Sequence, residues 1–166
     1  HVKADGITII LQAQAETQSN NDYLFSLYGN HDNSLGLKNR ICYTAARGYS
    51  YIIEVVNTNP HNNTGAIDSM PIMYYKPYLV SHYLQFTDWL VWMDYDLIVK
   101  NPHNWLEQYI TQNRFHLILT DHKEDINNGA FMLRNSRWGR AFVDHWRYLC
   151  SDRKKYPFTD NGPFAE

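Results

Sequence analysis

The chain is 166 residues long, 15% aromatic with 13 Tyr and 5 Trp, and carries a formal net charge of −2. That length suits a single domain, residues 1–166, with room for a real core. The near-neutral balance and the lack of a basic run argue against a nucleic-acid partner, and no apolar stretch is long enough to span a bilayer.

The chain opens at His1 and stops at Phe164-Ala165-Glu166, which reads as a domain trimmed at its C-terminal end. Gly6 to Ala13 (GITIILQA) predicts a first buried strand, with a polar break at Asn20, Asn21 and Asp22. Ser34 can cap a helix through Arg47, with Leu37, Ile41 and Ala45 on one stripe and Gly48 as its stop. Tyr51 to Val56 is rich in β-branched residues and predicts a second strand. The loop that follows holds Asn62-Asn63-Thr64, a glycosylation acceptor sequence that favours a secretory origin.

Residues 72–86 suggest a helix whose regular part begins at Pro77. Trp89 to Met93 is an apolar strand, and Pro102 can open a helix reaching about Gln112. Phe115 to Thr120 and Gly129 to Leu133 are two further strands. Ser136 caps the last helix, in which Trp138, Ala141, Phe142, His145, Trp146 and Leu149 recur at helical spacing and predict a buried stripe. His145 in that stripe reads as a packed core histidine. Cys42 and Cys150 can pair or stay free.

Strands alternating with helices predict an α/β domain with a mainly parallel central sheet, which binds ligands at the carboxyl ends of its strands. Asp94 and Asp96 stand at such an end. In extended backbone, side chains two apart share a face, so the two carboxylates converge. They repel unless a cation or proton lies between them. Mg²⁺ and Mn²⁺ take oxygen ligands and keep room for substrate phosphates, so the pattern predicts a divalent metal site on the sheet rim.

Four segments in one order add to this reading. Leu37-Lys38-Asn39-Arg40-Ile41-Cys42-Tyr43, with Gly48-Tyr49 behind it, precedes Lys76-Pro77. Trp92-Met93-Asp94-Tyr95-Asp96 comes next, and Ile126-Asn127-Asn128-Gly129-Ala130-Phe131-Met132-Leu133-Arg134-Asn135-Ser136-Arg137-Trp138 is the last. Together they resemble the galactosyltransferase family that includes plant xyloglucan xylosyltransferases and fungal galactosyl- and mannosyltransferases. The resemblance implies a GT-A fold, a single Rossmann-like domain that binds a nucleotide sugar. It also implies transfer of a hexosyl or pentosyl unit, with retention, from a UDP- or GDP-sugar donor to a hydroxyl of a glycan or other acceptor, in the secretory pathway or Golgi lumen if the source is eukaryotic.

By the same resemblance, Asp94 and Asp96 hold Mn²⁺ or Mg²⁺ on the donor's diphosphate, and Lys76, Asp94, Tyr95 and Gly129 line the donor pocket. Asn127 and Asn128 face the sugar, and Asp160 orients the acceptor. Two departures stand out. Asn161 replaces a family glutamine beside Asp160, and no histidine follows where the family supplies another metal ligand. His116 and His122 are poor substitutes by position. These departures keep open a non-catalytic GT-A-like domain that binds a glycan or partner. An Asp-nucleophile phosphatase is a further alternative, although that class carries its Asp-x-Asp on the first strand.

Overall fold

The computed structural model describes residues 6–15, 31–57, 72–94, 96–110, 114–120, 126–151 and 161–165. Strand β1 (Ile7–Ala15) leads to helix α1 (His31–Arg47) and β2 (Ser50–Asn57). A 3-10 turn at Ile72–Tyr75 runs into α2 (Lys76–Leu84), then β3 (Trp89–Met93) and a second 3-10 turn at Leu106–Tyr109. The hairpin strands β4 (Leu117–Thr120) and β5 (Asn127–Arg134) precede α3 (Arg137–Ser151) and a short α4 (Asn161–Ala165).

The strands form a five-stranded sheet in the order β2-β1-β3-β5-β4. β1 pairs in parallel with β2 and β3, as expected from the sequence. The other half departs from a mainly parallel sheet, because β5 runs antiparallel to both β3 and β4. For β4 and β5 the reason lies in the spacing of the two strands. Only residues 121–126 join β4 to β5, too few for the crossover that parallel neighbours need.

Strand β3 lies at the centre, and alternation divides its side chains between two cores. Leu90 and Trp92 face Val80 and Leu84 of α2, Val143, Trp146 and Cys150 of α3, and Phe164 of α4. Phe164 packs edge-on against Trp146, with ring centroids 4.8 Å apart, and so ties α4 into this core. On the opposite face, Trp89 and Val91 meet Tyr43 of α1 and Met132 of β5. Helix α1 ends where expected, at Gly48, whose φ of 71° is the left-handed conformation that glycine adopts without strain.

Two helices bury faces other than those the apolar spacing predicts. Among the described side chains of α1 the buried residues are Gly36, Leu37, Arg40, Tyr43 and Thr44, while Ala45 is exposed and Ile41 only half-buried. The cause is the segment behind β3, which lies along α1 and takes hydrogen bonds from its polar side chains. Tyr43 donates to the Asn104 carbonyl at 2.9 Å, and the Arg47 guanidinium donates to the Pro102 carbonyl. The helix expected from Pro102 shrinks to the turn at Leu106–Tyr109 along this segment. Tyr49 closes the far end, donating to Glu107 Oε2 at 2.5 Å and accepting from the Leu106 N–H at 2.9 Å. Burial, reinforced by the bond to Glu107, raises its pKa well above the ordinary tyrosine value.

In α3 the cap is as predicted, with Ser136 Oγ accepting from the Gly139 N–H at 3.0 Å. The buried face is Gly139, Val143, Trp146 and Cys150, one residue round from the predicted stripe. Trp138 is 47% exposed, and His145 is exposed rather than in the core. Gly139 permits this rotation. A Cβ there would collide with the Arg134 carbonyl, so the helix approaches the end of β5 along its glycine. Cys42 is exposed, Cys150 is buried, and neither is bridged.

Candidate functional site

The polar centre lies where β3 gives way to a turn. The Asp94 N–H donates to the Gly129 carbonyl at 2.7 Å, and the Asp94 carbonyl accepts from the Leu97 N–H at 3.1 Å. That second bond links Leu97 back to Asp94, three residues earlier, and Asp96 lies in a turn. The alternation expected to bring Asp94 and Asp96 to one face therefore stops at Met93, and the exposed Asp96 is presented by a turn rather than a strand.

Lys76 enters from the first turn of α2, where Pro77 presets the helical φ. Its side chain is 6% exposed, and its Nζ lies 3.1 Å from Asp94 Oδ1. The same ammonium donates to Asn128 Oδ1 at 2.8 Å and lies 5.3 Å from the centre of the Trp92 ring. Trp92 in turn donates its indole N–H to Asp94 Oδ1 at 2.8 Å. Asp94 keeps 37% of its side chain open to solvent. The result is an ion pair with a buried cationic end and an accessible anionic end.

β5 supplies the opposite wall. Asn127 Oδ1 folds back to accept from the Gly129 N–H at 2.7 Å. The buried Asn128 donates its own N–H to Asn161 Oδ1 on α4 at 3.2 Å. A Cβ on Gly129 would lie 2.8 Å from Asn127 Oδ1 and 3.0 Å from Asp94 Oδ2, so any larger residue there would require those two side-chain ends to shift. Lys76, Asp94, Asn127, Asn128 and Gly129, all singled out in the sequence, thus meet at one place. Tyr95, Asp160 and His122 lie outside the described residues.

Four residues in or near this centre are not apparent from the sequence patterns. Trp92 stands two residues before Asp94 in the sequence, the one signal that points to it. Asn161 stands in the sequence as an altered acceptor contact, whereas its side chain holds the Asn128 backbone. Asn39 and Arg40 lie within the first family-like segment, with nothing in the sequence to give them a role.

As a cation site, the turn offers the carboxylates of Asp94 and Asp96. Asp94 Oδ1 is engaged by Lys76 and Trp92, while Oδ2 points toward Gly129. Among the described residues, no three His, Cys, Asp or Glu side chains cluster closely enough to hold a metal. An all-oxygen pair fits a Mg²⁺- or Mn²⁺-type ion that completes its shell with phosphate and water, and does not fit a closed zinc site.

A family model described as a protein of unknown function, DUF273, matches residues 40–163, which include α1 from Arg40 onward and every residue of this centre. The chain belongs to the DUF273 family. No curated protein matches this DUF273 chain in sequence. Among solved structures it is similar to a glycosyltransferase involved in the glycosylation of the major capsid of the virus PBCV-1, with a TM-score of 0.57 at 13% identity. That likeness covers 92% of this chain and 68% of the viral one. A looser likeness, with a TM-score of 0.40 at 13% identity, is to a Drosophila β-1,4-galactosyltransferase 7 variant solved with manganese, UDP-Gal and xylobiose. It covers 78% of this chain and 49% of that one, and is too loose to define the fold. On the viral likeness, the DUF273 chain has an α/β fold shared with that glycosyltransferase.

Proposed function

We propose that this DUF273 chain is a single-domain, metal-dependent glycosyltransferase. It would move a hexosyl or pentosyl unit from a UDP- or GDP-sugar to a hydroxyl of a glycan or other acceptor. The observation that carries the reading is the convergence of Lys76, Asp94, Asn128 and Gly129 at the carboxyl end of β3, inside a fold shared with a glycosyltransferase. The kinship with xylosyl- and galactosyltransferases, and retention at the anomeric carbon, rest on the sequence resemblance.

In this reading Asp94 and Asp96 hold Mn²⁺ or Mg²⁺, which when bound offsets charge on the departing diphosphate. Lys76 adds a fixed positive charge beneath the same position, already desolvated and held by Asn128 and Trp92, so little reorganisation is needed as charge develops. Tyr95 lies between the two carboxylates in sequence and completes the donor side. Asn127 and Asn128 offer donors and acceptors to the sugar, and Gly129 lets backbone approach it. Asp160 orients the acceptor hydroxyl. No helix among the described residues is long and apolar enough to cross a membrane. The acceptor sequence at Asn62-Asn63-Thr64 supports a secretory or Golgi-lumenal setting.

A non-catalytic GT-A-like domain is the second reading, favoured by the lack of a third metal-ligand side chain among the described residues. Turnover separates the two. Incubation with UDP- and GDP-sugars, Mn²⁺ and mixed glycan acceptors is expected to release nucleoside diphosphate. That release should stop on chelation and fall about a hundredfold or more in Asp94→Asn. Release that ignores both the chelator and the substitution would contradict the proposal.

A further inference from the structure

The Asp94–Leu97 turn is fixed at both ends by different parts of the sheet and helices. Its entry is held by β5, through the Asp94 N–H on the Gly129 carbonyl. Its exit is held by α1. The Val99 N–H donates to Asn39 Oδ1 at 2.7 Å, and Asn39 Nδ2 donates back to the Val99 carbonyl at 3.1 Å. One amide side chain thus satisfies both backbone groups of Val99, as a neighbouring strand would. Next to it, Arg40 is 1% exposed, an unusual place for a guanidinium. It donates through Nη1 to the Leu97 carbonyl and through Nε to the Tyr51 hydroxyl at 3.2 Å.

We infer that Asn39 and Arg40 are positioning residues that set the exit path of the chain behind Asp94, and through it the location of Asp96. Asp96 is exposed and rides on a turn, so strand geometry does not determine where its carboxylate lies. Its neighbour Leu97 and the nearby Val99 are instead pinned to a helix some 60 positions earlier in the chain. A buried arginine and a bidentate asparagine aimed at backbone hold a fixed path better than apolar packing would, because hydrogen bonds specify direction. The consequence for cation binding rests on the proposed glycosyltransferase function, while the consequence for the turn does not.

Residue-resolved amide exchange and Mn²⁺ titration in the presence of UDP separate the two. In Asn39→Ala, the Val99 and Leu97 amides are expected to exchange about fivefold faster or more, while Leu90 to Trp92 of β3 stay protected. Mn²⁺ affinity should fall about tenfold, the usual effect of losing a residue that orients a ligand. Asn39→Asp keeps the oxygen that accepts from Val99 and should recover protection at that amide. Unchanged exchange at Val99 and Leu97 in Asn39→Ala overturns the inference, as does faster exchange with Mn²⁺ affinity unaltered. If the wild-type chain binds no Mn²⁺ with either nucleotide, yet Asn39→Ala frees these amides and Asn39→Asp restores Val99, the transferase reading fails and the positioning role stands.

Discussion

Gly139→Ala is expected to destabilise the protein by about 2–3 kcal/mol, a large loss for one methyl group. The new Cβ would meet the carbonyl oxygen of Arg134, a backbone atom that cannot rotate away. Relief requires moving α3 off the end of β5, and Val143, Trp146 and Cys150 move with it. Moving them opens gaps around Leu90, Trp92 and Leu133, where van der Waals contacts are lost. Gly6 is the control, because a Cβ there meets nothing within 4 Å. Gly6→Ala should stay within about 0.5 kcal/mol of wild type. Urea unfolding reads both, as a lower midpoint at unchanged slope for Gly139→Ala. Equal midpoints for the two variants would mean that α3 is not held against β5 by this contact.

Lys76→Met is expected to shift two affinities in opposite directions. The thioether fills much of the space of the lysine stem, but it takes the ammonium donor away from both Asp94 Oδ1 and Asn128 Oδ1 and leaves Trp92 on the carboxylate. Removing one partner of a buried pair costs about 3–5 kcal/mol, and the 37% exposure of Asp94 reduces that to about 1–3 kcal/mol here. The freed carboxylate should bind Mn²⁺ more tightly in the absence of nucleotide, because the competing positive charge has gone. Nucleoside diphosphate affinity should fall at least about tenfold, since the positive charge proposed to face the phosphates is lost. Calorimetric titration of Mn²⁺ alone, and of UDP at saturating Mn²⁺, measures both arms. A parallel fall in both would mean that Lys76 orders Asp94 rather than competing for it.

Much of this architecture is legible in the chain because single residues carry the signals. Pro77 and Gly48 mark helix ends through backbone conformation, Ser136 marks one through a side-chain cap, and the apolar run at Trp89–Met93 marks the central strand. The convergence of Lys76, Asp94, Asn128 and Gly129 is legible only through their order beside the family pattern, since Lys76 and Asn128 are 52 residues apart. The differences between sequence and structure share one physical origin. Spacing reports which residues of an element lie on one face, but not what packs against it. Arg40 and Asn39 carry no sequence signal of their roles because the segment they hold lies some 60 positions away. Trp138 looks like core because its size outweighs Gly139, whose small volume is what lets α3 come close. The hairpin is foreseeable, for Thr120 and Gly129 are too near in sequence for a parallel crossover.

The central claim is that the Asp94 turn and Lys76 together bind a nucleoside diphosphate through a divalent cation. Isothermal titration of UDP and GDP, each with and without Mn²⁺, on wild type and Asp94→Asn tests it most directly. The account predicts binding of one nucleotide that requires Mn²⁺ and is lost in Asp94→Asn, with the folded state confirmed by an unchanged far-UV spectrum. Binding that persists without Mn²⁺ and survives Asp94→Asn would contradict it, as would no binding of either nucleotide by the wild-type chain.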